Sequence, residues 1–106
     1  MADVNMGYMK VYDAFATRDA RSMLLKARLV VHLTQIIENQ GLSRRRAAEL
    51  LGFSEARLNN ILKGQFRSLS EMRLLDCLTQ LGYDAQIVIE PAPRDVAIGK
   101  IDLVLP

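Results

Sequence analysis

At 106 residues the chain has the length of one domain, large enough for a modest core and too small for a roomy enclosed active site. Half of its residues are apolar and only 6% aromatic, which suits a small helical domain filled with Leu, Ile and Ala and argues against disorder. The formal net charge is +2, and no run approaches the roughly 18 uncharged apolar residues of a membrane span.

Residues 1–21 read as an N-terminal arm. Its opening, MADVNMGYMK, lacks the basic, apolar and small-residue segments of a signal peptide, so a cytoplasmic location is expected. Tyr8, Val11, Tyr12 and Phe15 have helical spacing and could pack over the domain or belong to a partner surface. Asp3, Asp13 and Asp19 argue against contact between this arm and DNA. From about Ser22 to Asn39 the spacing predicts a long helix. Leu25, Leu29, Leu33, Ile36 and Ile37 form its buried stripe with Val30 beside it, while Lys26 and Arg28 leave the stripe, solvated or near phosphate. His32 is the only histidine, and a metal ligand needs company. No metal or other cofactor is expected.

The stretch from Leu42 to Gly64, LSRRRAAELLGFSEARLNNILKG, organises the rest. Ser43 can cap a first short helix, Gly52 can end it, and Ser54 can cap a second. Ala47, Ala48 and Leu51 face inward from the first, and Leu58, Ile61 and Leu62 from the second. Small alanines allow a close helix crossing. This is the outline of a helix-turn-helix, whose second helix enters the DNA major groove. Between Leu42 and Arg67 stand six basic residues, Arg44, Arg45, Arg46, Arg57, Lys63 and Arg67, against Glu49 and Glu55. That is a net +4, so the rest of the chain is net −2, and positive charge gathers on the reading unit as nucleic-acid binding requires.

A further helix follows. Ser68 and Glu71 have capping-box spacing, Leu74, Leu78 and Leu81 form its apolar line, and Gly82 stops it. Cys77, beside that line of leucines and with no base near it in the motif, reads as a buried structural thiol. A single cysteine cannot form an internal disulfide, which agrees with a reducing compartment. The period then changes. Ala85, Ile87 and Ile89 alternate with more polar neighbours, Pro91, Pro93 and Asp95 make a turn, and Val96–Leu105 is strand-prone. A bulge at Gly99 would bring Val96, Ile98, Ile101, Leu103 and Leu105 to one face. Two strands make only a marginal sheet, so pairing with a second subunit or another protein is expected. The expected organisation is thus an arm over 1–21, a DNA-binding domain over 22–83, and a C-terminal strand segment over 84–106. Dimerisation is assigned to Ile87, Ile89, Ile101, Leu103 and Leu105.

The chain resembles the XRE, or Cro/repressor-like, helix-turn-helix family, and more narrowly its branch of HigA-like antitoxins. The likeness runs from about Lys26 to Glu90. It rests on Lys26-Ala27-Arg28-Leu29, Gly41-Leu42-Ser43, Ala47-Ala48, Leu50-Leu51-Gly52, Ser54, Leu58, Asn59, Ile61, Gly64, Phe66-Arg67, Ser70, Leu81-Gly82-Tyr83 and Ile87-Val88-Ile89. The resemblance implies a mainly α, lambda repressor-like bundle, here with a C-terminal strand or hairpin. It also implies that residues 54–63 are the recognition helix, with Glu55, Ala56, Arg57, Asn59 and Asn60 at base-reading positions. Glu55 departs from the usual glutamine, Asn59 from the usual serine, and the arginine run at 44–46 is unusually basic. These departures keep the DNA-binding class and leave the target sequence open.

The leading function is a homodimeric repressor on a palindromic operator. In it Arg44, Arg45, Arg46, Lys63 and Arg67 hold phosphates, and Arg57, Asn59 and Asn60 meet base edges. The alternative implied by the resemblance is an antitoxin that neutralises a RelE/HigB-like messenger-RNA-cleaving toxin and represses its own operon. A protein-only scaffold with solvated arginines is a third reading. One histidine, one buried cysteine and no convergent acidic pair argue against an enzyme.

Overall fold

Four α-helices make up the regular structure of residues 18–105, the part of the chain that the computed structural model describes. They are α1 (Arg18–Asn39), α2 (Arg44–Leu51), α3 (Glu55–Leu62) and α4 (Glu71–Gln80). Helix α1 is already formed at Arg18, one turn before the expected Ser22. The aromatic cluster at Tyr8, Tyr12 and Phe15 lies outside the described residues.

Periodicity accounts for the helical part of the core. Leu29, Val30, Leu33, Ile36 and Ile37 of α1 are buried, and Leu25 at the edge of that stripe is half-buried. α1 packs chiefly on α4, whose Leu74, Cys77 and Leu78 are buried. Ala47, Ala48 and Leu51 of α2 and Leu58 and Ile61 of α3 close the other side. Phe66, Leu69 and Leu81 seal the ends. Each fully buried Leu or Ile contributes about 1.5–3 kcal/mol relative to exposure.

Ser43, Ser54 and Ser70 cap α2, α3 and α4, each accepting from the backbone N–H three residues on. The third cap corrects the sequence expectation. Ser70 takes the place assigned to Ser68, because the turn carrying buried Phe66 and Leu69 runs on before α4 begins. All four helices end in one pattern, a six-to-one bond beside a shorter one, as in Phe53 N–H to Ala48 O at 2.9 Å and Gly52 N–H to Glu49 O at 3.4 Å. Gly52 matters most, since its φ of 77° makes the sharp turn between α2 and α3 that a residue with a Cβ adopts only under strain.

Lys26 is also corrected. It is 8% exposed, not solvated. Its stem lies along the core edge, and Nζ donates to the Arg67 carbonyl at 3.0 Å and lies 3.8 Å from Glu71 Oε1. Ser22 Oγ donates to the other Glu71 oxygen at 3.0 Å. This network joins α1 to the turn before α4.

The expected C-terminal strand or hairpin is absent: residues 84–105 contain no strand. Their only backbone–backbone hydrogen bond closes a turn, Val96 N–H to Pro93 O at 3.0 Å. The alternation of Ile87 and Ile89 signals strand propensity, but propensity needs a pairing edge, and the helical domain offers none. Only the tip returns. Leu103 packs against the core, and Asp102 Oδ1 accepts from Arg28 Nη1 at 3.1 Å.

Candidate nucleic-acid interface

Helix α3 turns Leu58 and Ile61 into the core, which leaves its opposite side for solvent. Glu55, Ala56, Asn60 and Lys63 are exposed, and Arg57 and Asn59 are half-buried at the margins. The side chains of Asn59 and Asn60 bond to no described residue, so their amides can donate and accept toward a base edge. Arg57 is more constrained. Its Nη2 donates to Ser68 Oγ at 2.6 Å, tying the guanidinium to the turn after α3 while leaving other N–H groups for a ligand.

The phosphate candidates begin on the first turn of α2. Arg45 Nε lies 3.7 Å from Glu49 Oε1 and Arg46 Nη1 3.2 Å from Glu49 Oε2. These pairs are exposed, and such pairs are worth about 0–1 kcal/mol, so phosphate can replace the carboxylate at small cost. Arg44, half-buried, meets no carboxylate among the described residues. Arg67 stands apart. Its Nη1 donates to both carboxylate oxygens of Asp19 on α1, each at 3.2 Å, so it reaches a phosphate only by leaving Asp19.

A helix-turn-helix domain family model matches residues 11–90. A solved structure named "Putative XRE Family Transcriptional Regulator" superposes with a TM-score of 0.78 at 31% identity, covering 83% of this chain and 99% of that one. The chain belongs to the XRE-type helix-turn-helix family. It is thereby a DNA-binding regulator and not an enzyme. Neither match reaches the narrower HigA-like antitoxin branch. Comparison with curated proteins gives no match.

In this XRE-type domain the turn between α2 and α3 is held by a residue to which the sequence reading gave no role. Arg73, on α4, donates from Nη2 to the Leu51 carbonyl at 2.7 Å. Its guanidinium carbon lies 4.5 Å from the Phe53 ring centroid, and Nη1 is 3.6 Å from Cys77 Sγ. The last carbonyl of α2 and the ring after Gly52 are thus fixed from a third helix. The sequence signal was its position four residues before core-facing Cys77, where a cation needs a carbonyl or a ring. Burial pushes the Cys77 thiol above its ordinary pKa, and Arg73 opposes that rise in part. The thiol is neutral near pH 7, a packing group and not a nucleophile.

Among the described residues no group of His, Cys, Asp or Glu is arranged to hold a metal, and no helix is long and apolar enough to cross a membrane. The structure brings Arg44, Arg45 and Arg46 together on one turn and Glu55, Ala56, Asn59 and Asn60 onto one helix. Ile87, Ile89 and Ile101, expected at a dimer interface, are exposed, whereas Leu103 and Leu105 are half-buried near α1.

Proposed function

We propose that this protein is a sequence-specific repressor that binds a palindromic operator as a homodimer. The observation that carries the reading is the outer side of α3, where the Asn59 and Asn60 amides bond to no described residue, together with the basic first turn of α2, the helix packed against it. Asn59, Asn60 and Arg57 read base edges, with Glu55 and Ala56 filling the groove beside them. Arg44, Arg45, Arg46, Lys63 and, once released from Asp19, Arg67 hold phosphates.

The dimer follows from size. Eight residues of α3 span about 12 Å, the length of three or four base pairs at about 3.4 Å each. One such module has too small an interface for tight specific binding, and two related by a twofold axis read a palindrome. The tail residues Ile87, Ile89, Ile101, Leu103 and Leu105 supply the contact between subunits.

Titration of the full chain against its own upstream DNA and a scrambled duplex, at several salt concentrations, tests this. Preference for the upstream duplex with a stoichiometry of two chains per site is the expected result. Equal, purely salt-dependent binding to both would remove the repressor reading. A small toxin co-purifying from native cells would move the function toward the antitoxin alternative.

A further inference from the structure

We infer that two copies of this chain exchange their C-terminal tails, each tail tip docking on α1 of the other subunit. This deepens the homodimer reading and rests on it. The receiving surface is the side of α1 that carries Ala27, Arg28, Val31 and His32, which forms an open groove with Asp102, Leu103 and Leu105 of the tail. In a single chain the tip lies against this side of α1: Asp102 meets Arg28 at 3.1 Å, and Leu103 and Leu105 are half-buried. A second copy presents the same groove, so every one of these contacts can be made between chains without loss.

The tail favours exchange for two reasons. Residues 84–101 are all exposed and form no helix or strand, and their one backbone–backbone hydrogen bond is the local Val96–Pro93 turn, so no backbone bond ties their path to their own domain. Eighteen residues can span up to ~60 Å, more than the longest dimension of the molecule, 47 Å. Accordingly the radius of gyration is 16.6 Å, against about 13 Å for a compact chain of about 100 residues. Docking on the chain's own α1 has the advantage of high effective concentration, so exchange needs additional burial to prevail. The arm supplies it. Ile87, Val88, Ile89, Ile98 and Ile101 are largely exposed in the single chain and come between the two domains when the arms cross.

Two single-cysteine chains test this in a Cys77→Ala background, one carrying Arg28→Cys and the other Asp102→Cys, with tags of different length. They are mixed, allowed to exchange, and treated with a short bismaleimide. Tail exchange predicts a covalent product of the summed mass of the two tagged chains, well above that from either chain alone. A chain carrying both cysteines should likewise link chiefly to a second copy. Circular dichroism of each variant confirms folding, and sedimentation of the unmutated chain gives its oligomeric state. If that chain is a dimer but the double-cysteine chain links only to itself, exchange is wrong and the homodimer stands. Linkage in neither arrangement means that the tip does not sit on α1 and also overturns the proposal. A monomer at micromolar concentration removes both readings.

Discussion

The helical domain and the tail are both rich in β-branched and aliphatic side chains, yet they use them in opposite ways. Leu58 in α3 is 0% exposed, while Ile89 in the tail is 90% exposed. The difference lies in what each segment can meet. A helix satisfies its own backbone, so it needs only one apolar stripe and a neighbour with another. A strand needs a second backbone before its side chains can pack, and within one chain the tail has none. Apolar content predicts a core only where the backbone's hydrogen bonds are already provided for.

The largest expected effect opens that contrast widest. Leu58→Ala should lower the unfolding free energy by about 2–5 kcal/mol through lost burial and the cavity left behind. Ile89→Ala should change it by no more than about 0.5 kcal/mol in a dilute single chain. Urea denaturation of both variants measures this. A large loss for Ile89→Ala that fades on dilution would show the tail buried between subunits.

Arg73→Ala should cost about 1–3 kcal/mol, because the Leu51 carbonyl loses its donor and the Phe53 ring its cation. Its readout extends beyond stability. DNA affinity should fall further than the loss of folded protein explains, since the angle between α2 and α3 depends on this contact. An unchanged affinity for folded Arg73→Ala protein would show that Gly52 and its flanking caps set the turn unaided.

How far the sequence disclosed this structure follows the same divide. The helix caps at Ser43 and Ser54, the end at Gly52, and the buried faces of α2 and α3 were all legible, because their signals lie within four residues of one another. Lys26 was misread because its partners, the Arg67 carbonyl and Glu71, lie more than forty positions away. Arg73 escaped for the same reason, its carbonyl acceptor being on another helix. Ser68 lost the cap to Ser70 through the packing of Phe66 and Leu69, which local spacing does not express. The tail was misread differently: its period is that of a strand, but period says nothing of whether a partner strand exists. The basic turn at Arg44–Arg46 and the outward residues of α3 were legible, whereas the tethering of Arg57 to Ser68 and of Arg67 to Asp19 was not.

On the DNA-reading surface, Asn60→Ala should remove about 1–3 kcal/mol of discrimination if Asn60 pairs with an adenine. Arg45→Ala should weaken operator and scrambled DNA alike and flatten the salt dependence by about one counterion. Competition titrations at several salt concentrations separate the two effects. Equal losses of preference for both variants would mean that α3 does not lie in the groove as assigned.

Cys77 allows a test confined to the helical domain. Its pKa is raised in the folded state, so the unfolded chain releases the thiol proton first. Its contribution to stability is complete below about pH 8.5, the ordinary thiol value, and is lost as pH rises from there through the folded pKa. Unfolding free energies measured between pH 7 and 10 should therefore fall more steeply for the unmutated chain than for Cys77→Ala. Parallel profiles would show that the thiol titrates alike in both states.

The smallest effect belongs to the tail tip. The Arg28–Asp102 pair joins two side chains that are each about half exposed, at 49% and 48%, where water and salt screen most of the attraction. Asp102→Asn should lower stability by only about 0–1 kcal/mol, and the loss should vanish at 1 M salt, where the Debye length falls to about 3 Å. A loss above about 2 kcal/mol that survives salt would mean that the tip is part of the core. A small loss that fades with dilution would place Arg28 and Asp102 on different chains, since the contribution of an intermolecular pair disappears as the dimer dissociates.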